Sequence, residues 1–392
     1  MRLSSSSNVV LGALCASLAG GCNSGAPAPA PPPSAPAGPA GPAHSASAAA
    51  DAPLPAASAA GSVVAPPSAA APPAGVAHLE ATGIALPGAT GPAGLDYIAA
   101  DRARSRVWVP VSVTGSVDVL DVATRGFVRV DGFKTAEREV RGKKRTVGPT
   151  AVTIGDGVAY VGNRGTNEVC AVDLATLKVG ACVKMRGGID GVAYVAPSKE
   201  VWVTMPAEHA LGVLDASKPA ELKAKPSIAV AGEPEGYAVD EGRGLFFTNL
   251  EDQGGTLAID ARSHAVKATW RPGCASDGPR GVAVDAARSY VLVACTDHVQ
   301  VLDAAHDGAL LGRLDVGGGV DNIDYLPAKK LVYAAAGKAG RLTIARVEDG
   351  GQLVVVATAE TAAGARNTVA DGQGNAYVTD TVGARLLVVP SP

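Results

Sequence analysis

Polar side chains that could bind a ligand recur at one position of a repeated pattern, next to the start of a short apolar segment. The candidate ligand-binding set is Asp96, Asp190, Glu235, Arg280, Asp321, Asn322, Arg366 and Asn367. Guanidinium groups such as Arg280 and Arg366 suit carboxylate or phosphate ligands. The set contains both acidic and basic side chains, so two interpretations stay open. The side chains form either a solvated rim in which the arginines balance the acids, or a site for a small molecule or a peptide.

Motifs of the common soluble enzyme classes are absent from the sequence. It contains no G-x-S-x-G elbow, no G-x-x-x-x-G-K-[ST] phosphate loop, no H-E-x-x-H and no G-x-G-x-x-G after a predicted strand. A net charge of −3 and 4% aromatic residues give no general attraction to nucleic acid. We therefore expect a binding or scaffold protein rather than an enzyme, and no nucleic-acid partner.

The segments that must position these side chains form a repeat. Clear copies occupy residues 150–173, 235–260 and 280–303, each with alternating apolar strands and a third strand that ends in Asp. Seven units begin at Leu95, Ala151, Gly191, Gly236, Gly281, Ile323 and Thr368. Strands at this spacing, without long amphipathic helices, are typical of four-stranded propeller blades. The sequence predicts an all-β, seven-bladed β-propeller over residues 79–392.

The two ends of the repeat predict how the ring closes. The seventh unit ends at residues 386–389, which form its third strand, and residues 79–86 form a strand without a blade of its own. Placing this N-terminal strand as the fourth strand of the last blade leaves no open edge. The Asp that ends each third strand, for example Asp173 or Asp260, is expected to hydrogen-bond the following turn rather than bind a metal.

Three strand segments carry a resemblance to a known family. Residues 160–163 (YVGN), 247–249 (FTN) and 376–380 (AYVTD) resemble the YVTN repeat of YncE-like and surface-layer β-propellers. The sixth unit departs from this pattern, since its third strand ends in Ala345-Arg346. The resemblance implies a propeller that hosts binding or scaffolding. In propellers, the loops before the innermost strands converge on one face, so the candidate set should surround a central funnel.

A second hypothesis follows from another propeller resemblance. Gluconolactonase-like propellers are hydrolases that hold a divalent metal through oxygen ligands. By that resemblance, Glu235, Asn322 and Asn367 would bind Ca²⁺ or another divalent metal, and the protein would hydrolyse a lactone or an ester. No cofactor is predicted outside this alternative, and catalytic residues stay unknown.

The cysteines of the repeat region predict two disulfides. Four cysteines allow three pairings. Cys170 and Cys182 flank a hairpin centred near Thr176, so they face each other in simple register. Cys274 precedes the first strand of the fifth blade and Cys295 ends its second strand, towards the same face. The pairs 170–182 and 274–295 are typical of an oxidising compartment.

The N-terminus predicts export. Residues 1–21, with Arg2 and the apolar stretch 9–18, have the pattern of a signal peptide. Cys22 follows small residues and resembles the lipidated cysteine of bacterial lipoproteins, although Leu18 stands at −4 rather than −3. Ordinary signal cleavage is the alternative. Asn23, by the same resemblance, implies an outer-membrane lipoprotein that faces the periplasm or the cell surface.

Residues 22–78 are predicted to form a linker. Positions 23–78 contain 22 Ala and 14 Pro, and Asp51 is their single formal charge. Such a composition favours a disordered, polyproline-II-rich spacer. We expect a monomer held at the membrane through its lipid, with an envelope protein, a polymer or a small molecule bound at the funnel.

The first unit is longer than the others, because its start lies 56 residues before the next. The surplus, residues 133–145, connects an outer strand to the next innermost strand and should project over the ligand face. It contains six cations against Glu137 and Glu139: Lys134, Arg138, Arg141, Lys143, Lys144 and Arg145. It is either a solvated hairpin or a docking loop for an anionic partner.

Overall fold

The computed structural model describes residues 75–392 apart from residue 141. The predicted signal peptide, Cys22 and most of the predicted linker lie outside the described residues. Two short strands, β1 (Ala77–Leu79) and β2 (Thr82–Ala85), come first. They are followed by seven sheets that we number as blades I to VII, so the predicted seven-bladed β-propeller is confirmed.

Apart from β1 and β2, each blade is an antiparallel sheet whose strands follow one another along the chain. Blade I contains β3 (Ala99–Asp101), β4 (Arg106–Val111), β5 (Ser116–Asp121) and β6 (Phe127–Val130), and a hairpin follows with β7 (Ala136–Val140) and β8 (Lys143–Val147). Blade II contains β9 (Pro149–Gly155), β10 (Val158–Asn163), β11 (Glu168–Asp173) and β12 (Val179–Lys184), and blade III contains β13 (Val192–Val195), β14 (Glu200–Met205), β15 (Ala210–Asp215) and β16 (Lys223–Ala229). Blade IV contains β17 (Pro234–Asp240), β18 (Leu245–Leu250), β19 (Gly255–Asp260) and β20 (Val266–Trp270).

The remaining blades follow the same order. Blade V contains β21 (Pro279–Asp285), β22 (Tyr290–Cys295), β23 (His298–Asp303) and β24 (Ala309–Asp315), and blade VI contains β25 (Val320–Leu326), β26 (Leu331–Ala336), β27 (Arg341–Val347) and β28 (Leu353–Glu360). Blade VII contains β29 (Thr368–Ala370), β30 (Ala376–Asp380) and β31 (Arg385–Val389). Three short 3-10 turns occur at Pro206–Glu208, Pro219–Glu221 and Pro327–Lys329. Within the described residues no helix is long and apolar enough to span a bilayer.

The hydrophobic core lies between neighbouring blades. Trp202 of blade III packs on Phe246 of blade IV, with ring centroids 4.6 Å apart. Tyr160 of blade II stacks on Tyr194 of blade III at 5.6 Å. Side chains along each strand alternate between the two surfaces of the sheet, so a blade presents large side chains on both surfaces. Contacts of these side chains with the blades on either side hold the blade in place.

The Asp residues that end the third strands hydrogen-bond their turns, as predicted. Asp173 Oδ1 accepts the N–H groups of Ala175 and Thr176 at 3.1 and 2.7 Å. These bonds hold the pKa of Asp173 below its usual value. Asp260 is bonded in the same way to the N–H groups of Arg262 and Ser263. These carboxylates therefore stabilise hairpins.

Ring closure follows the prediction in one part and departs from it in another. Strand β2 pairs antiparallel with β31 and supplies the fourth strand of blade VII, as expected. The predicted single strand 79–86 is divided, because β1 pairs in parallel with β28 and adds a fifth strand to blade VI. The boundary predicted between residues 78 and 79 falls inside β1. Pairing with β1 covers the backbone groups that the outer edge of β28 would otherwise expose.

The direction of the strands defines two faces. Neighbouring strands are antiparallel, so the connections between blades lie on the same face as the loops between second and third strands. We call this the mouth face. Strand β28 runs towards the mouth face, and β1 runs parallel to it, so the described chain begins on the opposite face.

Both predicted disulfides are present. Cys170 lies opposite Cys182 in the register of β11 and β12, and the two are bonded with Cα atoms 4.0 Å apart. Cys274 is bonded to Cys295, with Cα atoms 5.3 Å apart.

Candidate functional site: charged side chains around the channel mouth

All eight predicted ligand-binding residues lie where innermost strands begin at the mouth face. Asp96 precedes β3, Asp190 precedes β13, Glu235 is in β17, Arg280 is in β21, Asp321 and Asn322 are in β25, and Arg366 and Asn367 precede β29. Each blade except II contributes at least one of them. The side chains influence one another across the channel, since Asp190 and Asp321 both act on the pKa of Asp96.

Arg164 fills the position that blade II leaves, and the sequence analysis missed it. It lies in the loop between β10 and β11. Its Nε donates to the carbonyl of Ile189 at 2.9 Å, and its guanidinium forms an ion pair with Asp190. Arg164 directly follows the YVTN-like segment 160–163, and this position could have identified it from the sequence. We call Arg164 and the acidic and basic side chains around it the charged ring: Asp96, Arg164, Asp190, Glu235, Glu251, Arg280, Asp321 and Arg366.

The two arginines that were candidate anion clamps already contact carboxylates. Arg366 Nε lies 3.0 Å from Asp321 Oδ2. Arg280 lies 2.6 Å from Glu251 Oε1 and 3.9 Å from Glu235 Oε1. An anionic ligand would have to compete with these acids. The contacts therefore favour arginines that neutralise acids of the ring over an open anion clamp.

Two carboxyl groups of the charged ring have strongly raised pKa values. Burial, together with the charges of Asp190 and Asp321, raises the pKa of Asp96 to about 7. The same causes raise the pKa of Glu235 well above its usual value. The ring contains five carboxyl groups against three guanidinium groups, so full ionisation would leave an excess of negative charge. Protonation of Asp96 and Glu235 relieves this excess.

Asn322 and Asn367, which the metal hypothesis would use, are hydrogen-bonded to each other. Asn367 Oδ1 accepts the backbone N–H of Asn322 at 3.2 Å and its Nδ2 at 3.3 Å. Asn367 Nδ2 donates to Asp96 Oδ1 at 3.3 Å. Between residues 75 and 392, without residue 141, no group of three or more His, Cys, Asp or Glu side chains is arranged to hold a metal. The site formed by Glu235, Asn322 and Asn367 stays a prediction.

An aromatic pair lies directly beneath the charged ring, and the sequence analysis did not identify it. Tyr97 of blade I extends to blade IV, where its ring stacks on Tyr237 with centroids 5.4 Å apart. Its hydroxyl donates to Asp190 Oδ2 at 3.4 Å. The hydroxyl of Tyr237 donates to the carbonyl of Val192 at 2.6 Å, which fixes its ring. The channel therefore has an aromatic surface next to the carboxylates.

A cavity of about 370 Å³ occupies the channel. Asp96, Asn322 and Asn367 line it near the mouth, and apolar side chains of the innermost strands line its wall. Near the opposite face, Arg102 lies 2.5 Å from Asp324 Oδ2 and donates from Nε to the carbonyl of Ala370 at 3.0 Å. This contact joins blades I, VI and VII at that end of the channel.

No protein-family model matches the chain, and a comparison with curated proteins gives no match. Solved structures do resemble it. A chain of Kuenenia stuttgartiensis hydrazine synthase is 17% identical, with a TM-score of 0.64 over 78% of this chain and 99% of that chain. Streptogramin B lyase is 9% identical, with a TM-score of 0.61 over 79% and 98%. The propeller domain of Myceliophteria thermophila Cps50 (Swd1) is 13% identical, with a TM-score of 0.62 over 79% and 98%. At these identities the likeness shows the fold alone. By its fold, the chain is a seven-bladed β-propeller.

Proposed function

We propose that this protein is an exported, lipid-anchored, YncE-like propeller that acts as a binding module at the cell envelope. The ligand site is the charged ring with the aromatic pair beneath it, and the ligand is a small organic cation such as an alkylamine. Propellers of unrelated function share this architecture, so the proposal depends on the site and not on the fold.

The unbalanced charge of the ring is the observation that carries the proposal. Arg164, Arg280 and Arg366 each contact an acid. Among the described residues, Asp96 has no cationic group at ion-pair distance. A bound ammonium group would supply the missing positive charge and restore the ionised form of the buried carboxyl groups.

The aromatic pair supports the same class of ligand. Aromatic faces attract organic cations, and the attraction grows when the cation is desolvated. Tyr97 is 8% exposed and stacks on Tyr237, so its ring is held in place before a ligand arrives. A carboxylate ligand gains nothing from such a surface. Among the described residues, no cluster of three or more His, Cys, Asp or Glu side chains favours a metal-dependent hydrolase.

Export and anchoring are supported by two features. The disulfides 170–182 and 274–295 are typical of proteins that fold in an oxidising compartment. The sequence around Cys22 resembles a lipoprotein signal.

Calorimetric titration of the full-length protein with 1,4-diaminobutane tests the binding site. We expect binding to the wild type and at least tenfold weaker binding to Asp96→Asn and Glu235→Gln. Asp277→Asn is the matched control, because Asp277 is an exposed carboxylate in the connection between blades IV and V. Citrate serves as the anionic probe. Binding of citrate but not of the diamine, or binding of neither, would contradict the proposal.

A further inference from the structure

The inserted hairpin between blades I and II has a fixed base on the mouth face. The N–H of Phe133 donates to the carbonyl of Gly115 at 3.2 Å. Asn163 Nδ2 donates to the carbonyl of Lys134 at 3.0 Å, and the N–H of Arg164 donates to the carbonyl of Gly148 at 2.9 Å. The hairpin is thus held beside the loop that carries Arg164. Its base therefore lies on the mouth face, and whether the hairpin projects over the ligand site stays a prediction.

The pairing register separates the charges of the hairpin onto two faces. Arg138 lies opposite Arg145, and Val140 lies opposite Lys143. Residues directly opposite each other share a face, and faces alternate along a strand. We call the face with Arg138, Lys143 and Arg145 the cation face. The other face, which we call the mixed face, contains Glu137, Glu139, Lys144 and Thr146. Arg141 lies outside the described residues.

On the mixed face, each acidic side chain lies opposite a residue of complementary chemistry. Glu139 lies opposite Lys144. Glu137 accepts a hydrogen bond from the hydroxyl of Thr146 at 2.5 Å. Opposite charges and hydrogen-bonding groups directly across a strand pair are mutually stabilising. This face therefore requires no partner to stabilise its charges.

The cation face does not balance its own charge. Like charges directly opposite each other destabilise a strand pair, and Arg138 and Arg145 stand in that relation. Their side chains and that of Lys143 are exposed, and in the described part of the chain none of the three forms an ion pair. Arg138 donates to the carbonyl of Gly165 at 3.3 Å, which orients it but leaves its charge uncompensated. An anionic partner would remove the repulsion.

We propose that the cation face is a docking surface for an anionic polysaccharide of the cell envelope, with one carboxylate on each sugar unit. Its cations repeat at about 5 Å across the strands and about 7 Å along them. A polymer with regularly spaced carboxylates can contact all three at once and is complementary to them in charge. This surface shares no residue with the charged ring.

Two neighbouring residues provide a matched test. Arg145→Ser and Lys144→Ser remove the same charge from adjacent positions on opposite faces of the hairpin. Binding of the full-length protein to polygalacturonate is measured at low and moderate salt, with dextran as the neutral probe and phosphatidylglycerol vesicles as the lipid probe. We expect Arg145→Ser to weaken binding about threefold to fivefold at low salt and Lys144→Ser to change it less than twofold. The double variant Lys143→Ser/Arg145→Ser should lose more, and binding should fall with salt.

Equal melting temperatures of the variants would show that the hairpin change leaves the fold intact. The proposal is overturned if Arg145→Ser and Lys144→Ser weaken binding equally, if neither weakens it, or if polygalacturonate does not bind. Arg145-dependent binding to vesicles without binding to the polymer would also overturn it and would assign the surface to lipid. Binding of 1,4-diaminobutane should be the same in all hairpin variants, which separates this test from that of the charged ring.

Discussion

Tyr97 of blade I and Tyr237 of blade IV stack across the central channel, with ring centroids 5.4 Å apart and ring planes inclined by 16°. The backbone of Tyr97 lies beside Ala151 of blade II, and its ring reaches Tyr237 of blade IV. The pair joins distant blades and forms an aromatic floor beneath Asp96 and Asp190. It therefore links the stability of the ring to the proposed ligand site.

Substitution of Tyr97 should separate these two roles. Tyr97→Ala removes a buried ring and should lower the free energy of unfolding by about 3 kcal/mol. Tyr97→Phe keeps the stack and loses only the hydroxyl bond to Asp190, at a cost of about 1 kcal/mol. Urea unfolding measures both changes. Tyr290→Phe is the control, because the Tyr290 hydroxyl donates to the carbonyl of Asp349 away from the channel. Reduced diamine binding in Tyr290→Phe would contradict the assignment of the site.

The affinity for the diamine should rise with pH, because Asp96 must lose its proton to bind a cation. Burial and neighbouring acids place the pKa of Asp96 at about 7, and the cation binds the ionised form. Affinity should therefore rise about tenfold between pH 6 and pH 8 as the carboxyl group loses its proton. Titration calorimetry at both pH values measures the effect. In Asp96→Asn the rise should be much smaller, and a rise of the same size would show that another group is responsible.

Asp118 should destabilise the fold at neutral pH. It is completely buried in β5, and its Oδ2 has no hydrogen-bond partner in the described structure. Burial raises its pKa to about 6, above the usual 3.8. The contribution of protonated Asp118 to stability is therefore fully present below about pH 4, and it is lost as the pH rises through 6. At pH 8, the free energy of unfolding of Asp118→Asn in urea should exceed that of the wild type by on the order of 1–3 kcal/mol. At pH 4, the two proteins should have similar free energies of unfolding.

Asp121, at the end of the same strand, is the control for Asp118. Hydrogen bonds from Thr124 lower its pKa, so its contribution has the opposite sign and is lost as the pH falls. Asp121→Asn should be destabilised more at pH 7 than at pH 3. If Asp118→Asn shows the pH dependence of Asp121→Asn, burial does not govern the ionisation of Asp118.

The proposed lipidation of Cys22 can be tested in intact cells. Labelling with radioactive palmitate should mark the protein, and Cys22→Ala should abolish the label, because the cysteine thiol is the acceptor. Cys22→Ala should also release the protein from the membrane fraction. Unchanged labelling in the variant, or no label in the wild type, would argue for a secreted protein without an anchor.

Several features of the fold could be predicted from the sequence because they depend on local periodicity. Alternating apolar residues form strands, and their recurrence at 40 to 45 residues beyond the first unit defines blades. The turn bonds of Asp173 and the pairing of Cys170 with Cys182 follow from the register of one hairpin. Such features involve residues that are close along the chain, so neighbouring positions suffice to determine them.

The channel mouth was only partly predictable. The repeat placed Asp96, Asp190 and the other candidates at equivalent positions, and their convergence follows from the propeller arrangement. Whether each of them is paired does not follow, since Arg280 contacts Glu251 of another blade. The sequence shows that the hairpin is rich in cations. Only the pairing register of its two strands places Arg138 and Arg145 on one face.

By itself, the sequence determined the strands, the number of blades and the position of the polar side chains along each strand, because hydrogen-bonded pairing and side-chain alternation are local. Only the tertiary structure decided that β1 adds to blade VI, that Arg164 pairs with Asp190 and that Tyr97 reaches Tyr237. Each of these contacts joins segments that approach only when the ring is closed. Their energies depend on distance, burial and competing partners in three dimensions, which no pattern along the chain specifies.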